Sequence, residues 1–182
     1  MKKTVLVLAL VMICAISSFS QQKAPTPTPS YGTFAFTDEV RLAGTVDRIY
    51  DALTGDVTGW WDHSFSKKPY RMYIEPKPGG GFYEIFSPDG DGVLHATVTY
   101  AQRGSMLRFA GPLGLAGKAL DMVTTFTFTA AGQDSTVLTL SVHAAGEMDA
   151  GLEKMVRGVW HHFLVDRFKP YVESPRPENT SK

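Results

Sequence analysis

His63 and Glu84 are the residues whose types and settings suit proton transfer. His63 follows Trp60-Trp61-Asp62, where a short helical pattern gives way to a loop. Glu84 has the strand parity of Phe82 and Phe86, which aims it inward. A buried carboxylate near a histidine can serve as a general base, so both are catalytic candidates. His162 and Asp166 stand i,i+4 on a later helix and form a second acid–base pair. For each group the plainer alternative is a boundary ion pair or a hydrogen-bonded edge, because structural ion pairs also perturb titration. Arg167, inside an otherwise apolar helical arc, would be a polar handle for a ligand.

Other chemistries lack their parts. No G-x-S-x-G occurs, and the only cysteine, Cys14, lies in an apolar N-terminal run. Acyl transfer, disulfides and thiolate-ligated metal are therefore not expected in the chain beyond that run. None of the histidines at 63, 95, 143, 161 and 162 forms H-x-x-x-H or H-E-x-x-H, so neither a metal site nor a cofactor is expected. His95 and His143 share the parity of threonines, which places them on a wet sheet face. Gly79-Gly80-Gly81 leads into a strand pattern, whereas phosphate cradles lead into a helix. The stretch from Gly111 to Lys118 has one residue too many for a P-loop, and Ala119 stands where a hydroxyl belongs. It is either an apolar loop able to fold over a cavity mouth or a plain connection. With 18 basic and 18 acidic residues and no Lys/Arg cluster, a nucleic-acid surface is not expected.

The chain has 182 residues, enough for one domain plus a removable segment. Met1-Lys2-Lys3, an apolar run over 4–16 and Ser18-Phe19-Ser20 predict a signal peptide over 1–20, cleaved near Ser20-Gln21, and hence a secreted or periplasmic protein. The run is shorter than the roughly 20 residues of a membrane span, so no stable span is expected after cleavage. Prolines at every second position make 21–32 an extended tether, 33–173 the folded domain and 174–182 a disordered tail.

Within the domain, alternation and turn chemistry predict strands over 33–43, 70–75, 82–87, 92–102, 106–111, 120–130 and 135–144. Helical spacing predicts short helices over 46–53 and 56–61. Phe126 and Phe128, and Leu138 and Leu140, alternate with threonine or serine, and Leu94, Ala96, Val98 and Tyr100 repeat the pattern. Such strands have one dry face and need a cover. A helix over 148–169 supplies it, with Leu152, Val156, Val159, Trp160, Phe163 and Leu164 on one arc. Pro170 should kink or end that helix.

The order Val46-x-x-Ile-Tyr-x-Ala-Leu53, Trp60-Trp61, Gly80-Gly81-Phe82, Gly92, then Trp160, Phe163 and Tyr171 resembles the START-like (SRPBCC) superfamily. Within it, the branch related to the Hsp90 ATPase activator C-terminal domain is the most similar. The resemblance spans about 34–172. It implies an α+β helix-grip fold, a curved antiparallel sheet of six or seven strands wrapped around a long C-terminal helix. It also implies an apolar pocket between them, as members commonly enclose one, while some are cyclases and others bind protein partners. No catalytic signature is shared across the superfamily. The export signal would place this chain away from Hsp90 and ATP.

The expected ligand is thus a small apolar molecule, a lipid or an aromatic metabolite. Trp61, Phe82, Leu94, Phe109, Phe126, Phe128, Val159 and Phe163 would line its site, with Glu84, His63 and Arg167 as polar handles. Two alternatives stand beside this. One is a cyclase or isomerase using Glu84 or His63, and the other is a module for a protein partner with its cavity filled.

Overall fold

The structure is a computed structural model that describes residues 28–174. The expected signal segment, most of the tether and the tail beyond 174 lie outside the described residues.

The first elements of the described residues are β1 (Tyr31–Ala43), which starts two residues inside the expected tether, and α1 (Val46–Leu53). The strands β2 (Gly55–Asp56), β3 (Arg71–Ile74), β4 (Gly81–Ile85), β5 (Gly92–Gln102) and β6 (Met106–Ala110) follow. A 3₁₀ turn (Leu113–Leu115) leads to β7 (Leu120–Ala130) and β8 (Ser135–Glu147). All eight strands form one antiparallel sheet in the order β1-β8-β7-β6-β5-β4-β3-β2. The expected count of six or seven was low because β2, only two residues long, carries no alternation to read. A long helical segment, α2 (Leu152–His161), a π-helical stretch (His162–Phe168) and α3 (Lys169–Glu173), closes the described part of the chain. The curved sheet grips this segment, as the helix-grip expectation requires.

Local chemistry accounts for each element. Thr45 caps α1 by accepting from the Arg48 N–H, and Ile49, Tyr50 and Leu53 are buried at helical spacing. Tyr50 meets Phe128 of β7 at 5.3 Å between ring centroids. The expected helix over 56–61 is a single turn, in which the Trp60 and Trp61 N–H groups both donate to the Val57 carbonyl. The sheet holds its start: the Val57 N–H donates to the Met72 carbonyl. That turn delivers two adjacent indoles into the core.

β5 departs from simple alternation twice. Phe82 pairs with Ala96 but Tyr83 pairs with Leu94, so His95 is a bulge residue, and a second shift follows between Val98 and Tyr100. A bulge adds one residue and reverses which side chains face the core beyond it. Leu94 and Tyr100, expected inside, are therefore exposed, and His95, expected on the wet face, is buried. His143 is on the exposed face as expected.

The closing helix is held at both ends and along its length. Arg157 pairs with Asp38 of β1 and lies over the Phe36 ring, while Glu173 accepts from the Ala43 N–H and Arg48 donates to the Val172 carbonyl. In an α-helix, residues five apart point about 140° away from each other. The wider π turns bring them nearer to one line. Phe163 and Phe168 thereby both meet Trp60, and His162 and Arg167 both reach Asp62. Pro170 does not end the helical course. It falls in the first turn of α3, where a missing N–H is tolerated.

Gly111 sits against the His95 bulge with φ +151°, and a Cβ there would lie 2.6 Å from Ala96 Cα and 2.7 Å from the His95 carbonyl oxygen. Gly111→Ala should lower the unfolding free energy by roughly 1–3 kcal/mol, the usual cost of overpacking. Gly158 in α2 faces open space, so Gly158→Ala should raise it by roughly 0.5–1 kcal/mol. Urea unfolding curves of the two variants check both signs.

Candidate functional site

A cavity of about 300 Å³ opens at one end of the grip. Its walls come from four places. Trp61, His63, Ser64 and Phe65 belong to the loop after the tryptophan turn, Pro112–Leu115 to the β6–β7 loop, and Met155, Val156, Val159, Trp160 and Phe163 to the closing helix. Met122 and His95 form the sheet side. The glycine-rich loop thus does fold over a cavity mouth. Phe65 and Met155 are exposed at the rim, and the lining is overwhelmingly apolar.

The aromatic frame around the cavity is tightly packed. Trp61 stacks on Phe163 with ring centroids 3.8 Å apart, meets Phe82 edge-on at 4.8 Å, and donates its indole N–H to the His63 carbonyl at 2.8 Å. Trp160 meets Phe126 at 5.5 Å. Such contacts add stabilisation beyond buried area and hold the walls in place.

Behind this wall lies a buried acid–base pair. Glu84 is fully buried and His95 nearly so. The carboxylate accepts from the Phe65 N–H at 3.0 Å, the Ser66 N–H at 2.9 Å and His95 Nε2 at 3.1 Å. Burial alone would raise the Glu84 pKa. The Ser66 and Phe65 N–H groups, together with His95, outweigh it and hold the carboxyl below the ordinary glutamate value. Burial pushes the His95 imidazole below its ordinary value, against the opposing pull of Glu84 and the Leu113 backbone. The pair is therefore a carboxylate beside a neutral ring. The Phe65 and Phe82 rings flank that ring at 5.6 and 5.0 Å.

A second cluster stands at the rim. Asp62 is bonded to His63 Nδ1 at 2.9 Å, His162 Nε2 at 3.0 Å and Arg167 Nε at 3.2 Å, and His162 Nδ1 lies 3.4 Å from Asp166. Burial would raise the Asp62 pKa, but its bonds to His63 and His162 and the charges of His162 and Arg167 leave it lowered. Asp62, His63 and His162 offer three ligand atoms within 4.8 Å of one another, near enough to face a single cation. Ligand spacing along the chain was blind to this, since His162 is 100 residues from Asp62. Arg167 already occupies the same carboxylate, and its charge opposes a cation there.

Of the residues expected to line a ligand site, Trp61, Val159 and Phe163 do so, and His63 joins them at the mouth. Phe82, Phe109, Phe126 and Phe128 are core residues that fill the middle of the grip. Leu94 is on the outer face, 52% exposed. Glu84 is behind the wall with its oxygens engaged, and Arg167 is bound to Asp62 outside the cavity. The structure does bring Glu84 to a histidine, but that histidine is His95 and not His63. His95 was missed because nothing in local spacing marks the bulge that turns it inward.

Residues 43–173 match the family described as Activator of Hsp90 ATPase homolog 1-like protein. No curated protein matches the chain. Among solved structures, an uncharacterized protein from Rhizobium leguminosarum is 16% identical with a TM-score of 0.56, over 81% of this chain and 99% of its own. A Staphylococcus aureus protein of unknown function is 11% identical with a TM-score of 0.60, over 79% of this chain and 95% of its own. DynU16, from the dynemicin biosynthetic locus, is 22% identical with a TM-score of 0.53, over 79% of this chain and 48% of its own. At these identities the likeness concerns the fold.

Glu84→Gln leaves one of the two facing backbone N–H groups opposite an amide donor. It should lower stability at pH 7 by roughly 2 kcal/mol. The folded pKa of Glu84 lies below the unfolded value of about 4.3. Its contribution is therefore complete above that value and is lost as the pH falls through the lowered one. Denaturant unfolding at pH 7 and pH 3 should show the gap between wild type and variant narrowing in acid. A gap independent of pH would contradict an ionised Glu84.

Proposed function

The chain belongs to the Activator of Hsp90 ATPase homolog 1-like family, and we propose that it binds a small, mainly apolar molecule between its closing helix and its sheet. The cavity of about 300 Å³ beside Trp61, Val159 and Phe163 carries this reading. Removing a ligand's apolar surface from water there supplies the affinity, at about 25 cal/mol per Å². The exposed Phe65 and Met155 give it a greasy rim for access. The open volume weighs against a domain whose interior is plugged by its own side chains, although Phe109, Phe126 and Phe128 do fill the central part. Among the described residues no helix is long and apolar enough to cross a membrane. The basic start and apolar run over 1–20 support export of this binder.

Trp61 and Trp160 in the wall make fluorescence a direct readout. The neutral dye N-phenyl-1-naphthylamine, bright only in apolar surroundings, should bind the folded chain with saturation. Val159→Trp, which fills the cavity from the helix side, should weaken that binding at least tenfold while the melting temperature stays within a few degrees of wild type. Dye binding unchanged by this substitution would move the site elsewhere.

A further inference from the structure

His95 is 4% exposed and lines the cavity, and its Nδ1 finds no well-aligned hydrogen-bond partner, the Leu113 backbone being the polar group beside the ring. Which ring nitrogen carries the proton follows from its partner. An ionised carboxylate only accepts, so the Nε2 facing Glu84 must be the donor. In a neutral ring Nδ1 is then a bare acceptor. The Leu113 backbone close by favours a protonated ring, as a carbonyl acceptor does. Two acceptors thus meet at the cavity's sheet side with no donor between them. A buried polar atom without a partner is costly. Here the structure holds it in place: the bulge turns the ring inward, Phe65 and Phe82 flank it, and Glu84 sets its tautomer.

We propose that His95 Nδ1 is the polar anchor of the cavity, selecting apolar ligands that carry one hydrogen-bond donor, a phenolic or alcoholic O–H, and that Glu84 is the positioning residue that keeps it an acceptor. This rests on the cavity being a ligand site. It differs from the expected polar handles, since His63 and Arg167 are engaged with Asp62 at or outside the mouth and Glu84 does not line the cavity. A site built to pair a buried acceptor rejects analogues that lack the donor, because they leave that acceptor unpaired.

The test displaces N-phenyl-1-naphthylamine with three matched probes: 2-naphthol, 2-methoxynaphthalene and naphthalene. A purely apolar cavity would hold 2-naphthol the least tightly, as it is the best hydrated of the three. His95 as anchor should instead make 2-naphthol at least tenfold tighter than both others. His95→Phe should erase that preference while still binding naphthalene. Glu84→Gln frees the tautomer, because its amide can donate to Nε2 as well as accept from it, and should lower the 2-naphthol preference without abolishing naphthalene binding. If either variant fails to fold, the wild-type ranking decides. Dye binding with 2-naphthol no tighter than both controls overturns the anchor and leaves the cavity reading standing. No dye binding at all overturns both.

Discussion

A fully buried, ionised carboxylate constrains everything near the cavity. Glu84 has no exposed surface, and a charge in that setting survives only if donors surround it. Three do, from two parts of the chain that are otherwise unrelated. The Phe65 and Ser66 N–H groups can reach it only if the loop after Trp61 folds back across the sheet, which sets the cavity's near wall. The His95 ring can reach it only if β5 carries its bulge. Satisfying one carboxylate thus places both a loop and a strand irregularity.

The opposite wall depends on a second irregularity. The π-helical stretch lets Phe163 and Phe168 share Trp60, while His162 and Arg167 share Asp62. π turns are less favourable than α turns and tend to persist where something else stabilises them. Here the aromatic packing inside and the ion pairs outside both reward the same winding. The Asp62 network is part-exposed, so its ion pairs contribute less to stability than the buried rings do. Its effect is chiefly to fix the orientation of the rim.

The candidate site was legible in part. Trp61, Val159 and Phe163 could be placed at the cavity because a helical arc and an aromatic pair identify inward faces without further information. Phe109, Phe126 and Phe128 were also rightly read as inward, yet pattern alone could not separate a ring that lines a void from one that fills it. Leu94 and His95 exchanged faces through a single inserted residue. Glu84 was correctly aimed inward and paired with a histidine, but its partner arrived from the neighbouring strand and not from the preceding loop.

Strand alternation and helical periodicity repeat with the backbone's own geometry, so the chain's local order was enough to determine an antiparallel sheet covered by a terminal amphipathic helix. Seven of the eight strands and the first helix followed from it. The bulge at His95, the π turns and the meeting of Asp62 with His162 have no such local period. Each was decided by how buried polar groups and large rings, distant along the chain, could be satisfied together in one interior.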